Sequence, residues 1–176
     1  MRRLKPLAAL LAGLLLTGAC RRTEPIETLE TDESPPQLLS MVHVADPRSA
    51  VQLLKGFHEI EQNSWRWTMG EFAVVLKRPG GAAEDGASLQ MKISVPDVLI
   101  DRLGPVTLSA EVNGAALEPE SYKTAGEFTY TRSLPASMLT EEAVPVRFVL
   151  DKHLPPSPAD HRELGIIVSV IGLEPK

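Results

Sequence analysis

Two short clusters hold the residue types that could do chemistry. The first runs Gly56-Phe57-His58-Glu59-Ile60-Glu61 and then Ser64-Trp65-Arg66-Trp67-Thr68, and it contains both tryptophans of the chain, two positions apart. Residues two apart on a strand share a face, so the indoles would stand together with Arg66 on the opposite side. A pair of indoles on one face can stack pyranose rings, which makes Trp65, Trp67, His58 and Glu59 the candidate ligand-binding residues. The competing fate is structural: the indoles fill the core or close one end of it, and this is favoured for at least one of them. Aromatic residues make up only 5% of the chain, too few for a long exposed stacking platform.

The second cluster is Asp160-His161-Arg162-Glu163-Leu164-Gly165. Asp160 follows a proline-rich stretch and could anchor the entry to a strand. Arg66, Arg162, Asp160 and Glu163 are candidates for a structural ion pair, such as Arg66 with Glu163 across strands. A partly buried pair of this kind fixes register more than it adds stability. His153 and His161 flank the prolines with Asp160 between them, but the spacing matches no standard metal template, so no metal site is expected.

Catalytic patterns are missing. There is no Gly-x-Ser-x-Gly elbow and no His-Glu-x-x-His pair. Gly80-Gly81 leads into Ala82-Ala83 and not into a Lys-Ser/Thr, so no phosphate-cradling loop is present and no cofactor is expected. Glu59 and Glu61 could in principle serve as a glycosidase acid pair, but chance pairs are common in an acidic chain. The expectation is a non-enzyme.

The elements that must position these clusters are mostly strands. Phe72, Val74 and Leu76 recur at a period of two. So do Leu89, Met91, Ile93 and Val95; Val106, Leu108, Ala110 and Val112; Phe128 and Tyr130; and Val144, Val146, Phe148 and Leu150. Such alternation marks strands with one face on a core and one in water. Residues 164–173 are apolar almost throughout and read as a central strand covered on both sides. Pro79-Gly80-Gly81, Asp85-Gly86, Pro119 and Gly126, and Pro155-Pro156-Ser157-Pro158 separate the runs, while Asn113-Gly114 is a hairpin signal. Asp46-Pro47 opens an expected helix reaching toward Gly56, and residues 97–103 and 136–142 read as two further short helices. Six or seven short strands without a βαβ rhythm predict an all-β fold, an antiparallel β-sandwich of jelly-roll or immunoglobulin-like kind with one or two short helices.

The N-terminus has different grammar. Arg2, Arg3 and Lys5 precede an apolar run over residues 7–16, and Thr17-Gly18-Ala19-Cys20 closes it. A basic start, a short apolar stretch and small residues make an export signal, and about ten apolar residues are too few for a spanning helix. The small residues before Cys20 resemble the lipobox of bacterial lipoproteins, with Thr17 where Leu is usual. That resemblance implies cleavage before Cys20, a diacylglycerol on its sulfur and a membrane-anchored product. Cys20 is the only cysteine, so no intramolecular disulfide can form. Residues 21–39 are rich in Glu, Thr and Pro and cannot order themselves by burial. The expected organisation is a signal peptide over 1–19, a lipidated N-terminus and acidic linker over 20–40, and a β-sandwich domain over 41–176.

The precursor carries 18 Lys and Arg against 23 Asp and Glu. Loss of Arg2, Arg3 and Lys5 with the signal leaves 15 against 23, a formal net charge of −8. An acidic body argues against nucleic acid as a partner and against a polybasic grip on lipid heads.

The segments GFHEIEQNSWRWT and DHRELGIIVSVIGL, with alternating strands between them, resemble small bacterial β-sandwich accessory domains of carbohydrate-active or glycosyl-transfer proteins. The resemblance covers residues 54–173, with His58 standing where Tyr is commoner. It implies the sandwich fold more than an activity; taken with the lipobox-like N-terminus and the tryptophan pair, the expected function is a non-catalytic domain that binds carbohydrate or glycoconjugate at the bacterial cell envelope. A protein–protein adaptor or accessory subunit is the alternative, and a small hydrolase a weaker one. Arg21 after Cys20 lacks the Asp that retains many lipoproteins in the inner membrane, so an outer-membrane location is expected in a two-membrane cell.

Overall fold

The computed structural model describes residues 37–176. The expected signal peptide, Cys20 and most of the linker lie outside the described residues.

Ten antiparallel strands build the domain: β1 (Met41–His43), β2 (Leu53–Glu61), β3 (Trp65–Lys77), β4 (Ala87–Val95), β5 (Val106–Val112), β6 (Ala115–Ala116), β7 (Glu120–Tyr122), β8 (Gly126–Leu134), β9 (Ala143–Leu150) and β10 (Ile167–Pro175). Hydrogen bonding orders them β6-β5-β9-β3-β10-β4-β8, with β7 on β5, β2 on β3 and β1 on β10. The sheet doubles back on itself. Tyr130 on β8 meets Phe148 on β9 at 6.2 Å, although four strand-to-strand steps separate them in the ladder. Tyr122 on β7 likewise approaches Phe128 on β8 at 4.9 Å. The result is an antiparallel β-sandwich, with β2, β3, β9, β5, β6 and β7 in one layer and β1, β10, β4 and β8 in the other.

β3 belongs to both layers. Its C-terminal part, from Glu71 to Lys77, pairs with β9. Its start pairs with β10, Trp67 opposite Ile167 and Arg66 opposite Val168. Between these ladders the loop before β10 closes the gap: Thr68 N–H donates to Ile166 O and Gly165 N–H donates to Thr68 O.

The period-two runs fill the core as strand geometry requires. Leu89, Met91, Ile93 and Val95 on β4 are buried, as are Val144, Val146, Phe148 and Leu150 on β9. At roughly 25 cal/mol per Å² of apolar surface, these inner rows supply most of the driving force for folding. The Asn113-Gly114 signal is a hairpin between β5 and β6, with φ of 50° and 81° at its two residues, as the mirror-image turns require.

Three expected elements differ. The helix after Asp46 is a short 3-10 helix of two turns, Pro47–Gln52, and β2 begins at Leu53. The buried Gln52 side chain donates to Val75 O and Leu39 O, which ties the segment to β3 and ends the helix. The stretch at 136–142 contains only the 3-10 turn Ala136–Met138, because Arg78 takes the carbonyls of Leu139 and Thr140. The last strand starts at Ile167 and not at 164; Leu164 makes an isolated bridge to Leu154. The helix at Asp97–Leu103 has the bounds read from the sequence.

Candidate functional site

Trp65 and Trp67 start β3, immediately after a tight turn in which Gln62 and Asn63 take φ of 50° and 53°. Thr68, Gly70 and Phe72 face inward from β3, which sends Trp65 and Trp67 to the outer surface of the sheet. Neither indole lies in the core, and both are partly exposed. Their ring centroids are 6.4 Å apart with planes at 76°, an edge-to-face pair. Of the two structural fates expected for the indoles, filling the core is therefore corrected. The inner positions at this end of β3 are occupied by Thr68 and Gly70, against which the loop before β10 packs, so no cavity for an indole exists there.

Beside Trp65 lies an open cleft of about 490 Å³. The register brings polar side chains from the neighbouring strands into it. Ser94 on β4 stands between Ile167 and Glu127, and Lys92 between Val170 and Thr129. Ser64 closes the near end. The cleft thus pairs one indole with hydroxyls, a cation and a carboxylate. Lys92 and Glu127 form no ion pair with any of the described residues. An apolar surface with a few convergent polar groups is the ordinary composition of a small-ligand site.

His58 and Glu59 do not join the indoles. His58 lies on β2, where its Nε2 is 2.6 Å from Glu163 O, so its ring holds the loop backbone. Glu59 is exposed on the same strand and does not line the cleft. The four candidate binding residues therefore fall into two places.

Arg66 and Glu163 do not pair. Arg66 donates from Nε to Val44 O at 2.7 Å and from a terminal nitrogen to His58 O at 2.7 Å. Glu163 instead accepts the Gly70 N–H at 2.7 Å, and His153 Nε2 lies 3.6 Å from the same carboxylate. Gly70 sits between the two ladders of β3, so its N–H has no strand partner and the carboxylate supplies one. Any side chain at Gly70 would strike the His153 ring.

Arg162 forks onto Asp160, with Nε to Oδ1 at 3.0 Å and a second nitrogen to Oδ2 at 2.9 Å, and reaches Glu61 at 2.7 Å. Its side-chain and backbone hydrogen bonds hold the Asp160 carboxyl down to about 2. The two carboxylates in turn push the guanidinium upward. These groups are committed to one another, as a structural clasp requires. Among the described residues, no three His, Cys, Asp or Glu side chains converge as metal ligands.

The sequence reading missed the cleft residues Lys92, Ser94, Glu127 and Thr129. Their signal was present as the wet positions of two alternating strands. What it lacked was strand order, which sets β4 and β8 beside the start of β3 by way of β10.

No protein-family model matches the chain, and no curated protein matches it. Solved structures show distant likeness. An acetyl xylan esterase from the rumen bacterium Butyrivibrio proteoclasticus is 12% identical with a TM-score of 0.44, over 80% of this chain and 33% of that one. The CBM36-1 domain of a multidomain xylanase from the hindgut metagenome of Trinervitermes trinervoides is 7% identical with a TM-score of 0.42, over 77% of this chain and 96% of that domain. A family 35 carbohydrate binding module from an environmental isolate is 13% identical with a TM-score of 0.36, over 82% of this chain and 94% of that module. The chain spans a third or less of the larger enzymes it resembles, 33% of the esterase and 18% of a GH115 glucuronidase. Likeness at these scores says nothing of what this chain binds.

Proposed function

We propose that residues 41–176 form a non-catalytic carbohydrate-binding domain, held at the bacterial cell envelope by a lipid on Cys20. The observation that carries the reading is the placement of Trp65 on the outer face of the sheet, lining a polar, open cleft, with Trp67 edge-on behind it. An indole offers a flat apolar face to a sugar ring, and hydroxyl, amine and carboxylate groups beside it offer hydrogen bonds to the ring's hydroxyls. The ligand class is carbohydrate or glycoconjugate. Trp65 and Trp67 bind, while Lys92, Ser94, Glu127 and Thr129 orient. His58 serves the site only through the loop it holds.

The test is retention on a glycan array. The wild-type chain should be retained by at least one glycan class, and Trp65→Ala should abolish retention without changing the melting curve. Retention that survives the loss of both indoles would remove the reading. Absence of any glycan signal, together with capture of one stable partner from detergent-solubilised membranes, would replace it with the adaptor.

The anchor is tested separately. Processing at Cys20 should be sensitive to globomycin and should stop in a Cys20→Ser variant. In a cell with two membranes, the reading of Arg21 places the protein in the outer-membrane fraction.

A further inference from the structure

We propose that the end of the sandwich at which the chain enters rests on the surface of a lipid bilayer, through Leu39, Val51 and Leu54. The inference rests on the reading of Cys20 as an anchor. Five large apolar side chains are exposed among the described residues, and these are three of them, at 40%, 60% and 54% exposure. They occur together. The Gln52 side chain accepts the Leu39 N–H at 2.9 Å and donates to Leu39 O at 3.0 Å, which pins Leu39 beside the 3-10 helix carrying Val51. Leu54 follows on β2. Exposed apolar residues scattered singly need no explanation, but a group of them marks a surface that something covers.

Where the chain enters selects the occupant. Cys20 precedes Leu39 by nineteen residues, which extend to at most about 65 Å. A lipid on Cys20 therefore keeps this end near the bilayer at high effective concentration, and a weak apolar contact is enough to orient the domain. Charge points to an apolar contact and not a polybasic one. Arg48, Lys55 and Lys77 at this end each have an acid, in Asp46, Glu71 and Glu142, and the Arg78 guanidinium is held by the Leu139 and Thr140 carbonyls, so no cluster of free basic residues is present there among the described residues. Anionic headgroups would find no free cation among these pairs.

The arrangement also sets the height of the cleft. Lys77, at the end of β3, donates its N–H to Leu39 O, and Trp67 lies ten residues back along the same strand. Leu54 lies between Leu53 and Lys55, which face Val74 and Ala73, so the indoles would stand about 20 Å along the strand from the nearest of the three apolar residues.

The test uses the mature chain from Cys20, coupled through that only thiol to maleimide lipid in phosphatidylcholine vesicles. Amide hydrogen exchange is compared with the same chain blocked by a small thiol reagent and free in solution. Peptides over residues 38–56 should exchange about threefold or more slowly on vesicles, with peptides containing Trp65 and Trp67 unchanged. A Val51→Glu, Leu54→Glu double variant with an unaltered melting curve should lose the slowing while staying coupled. Equal exchange in the tethered and free chains would overturn the proposal, as would slowing that persists in the double variant or that needs anionic lipid. Chemical coupling separates this outcome from the anchor itself: mass spectrometry of the native protein without an acylated Cys20 would sink the anchor alone.

Discussion

β3 carries two aromatic groups with opposite fates. Phe72 is fully buried and stacks on Phe148 at 4.9 Å with planes 15° apart, and Phe57 meets its edge at 5.4 Å. Trp65 and Trp67, a few residues earlier, meet each other edge-on at the surface. All three β3 side chains are large and apolar, so hydrophobicity does not separate them. Parity and the covering element do. Phe72 falls on the inner row where β9 and the facing layer close over it. Trp65 and Trp67 fall on the outer row, and the inner row beside them is given to Thr68 and Gly70, beneath a loop held by hydrogen bonds.

Replacing one member of each group should expose this contrast most sharply. Phe72→Ala removes a stacked core ring and should cost about 3–5 kcal/mol, read by urea unfolding. A cost near that of a surface change would break the comparison. Next comes the seam between the two parts of the strand. Glu163→Ala leaves the Gly70 N–H without its acceptor and should cost about 1–3 kcal/mol, whereas Glu163→Gln keeps an oxygen in place and should cost less. Trp65→Ala and Trp67→Ala should each stay within about 1 kcal/mol of wild type in the same assay. A loss as large as that of Phe72→Ala would mean that the indoles support the fold.

The smallest effect concerns acid. Asp160 is held at about 2 in the folded chain, below its unfolded value, by Arg162. Its contribution to stability is complete above the unfolded value near 4 and is lost as pH falls through the folded value. Because Asp160 anchors the loop under the tryptophan end, indole fluorescence should shift before the β-sheet circular dichroism signal as pH falls from about 5 to 2. In Asp160→Asn the two signals should change together. Coincident changes in the wild type would remove the distinction between the two ends.

The inner rows of β4, β5, β8 and β9 were legible because alternation states parity directly. The same rule put Trp65 and Trp67 on one face, but it could not say which face. That depended on Thr68 and Gly70 being inner residues, and on a loop a hundred positions away arriving to cover them. Gly56, with φ of +76°, illustrates the misread helix. It reads as a helix stop, yet it sits in β2, packed so tightly against Glu71 and Phe72 that a side chain there would collide. Arg66 was legible as a charge facing away from the indoles, but its partners are carbonyls of Val44 and His58, and backbone acceptors leave no trace in a sequence.

The position of β10 has a consequence in time. The strand that comes last in the chain lies in the middle of the sheet, bonded to β4 along one edge and to β3 and β1 along the other. Until it arrives, β4 keeps an open edge and the start of β3 has no neighbour on that side. Long-range pairing of this kind folds slowly because the loop must close before the contacts reward it. If the chain is exported with its N-terminus first, as proposed above, the sheet would remain unfinished until β10 had crossed, and would close only afterwards.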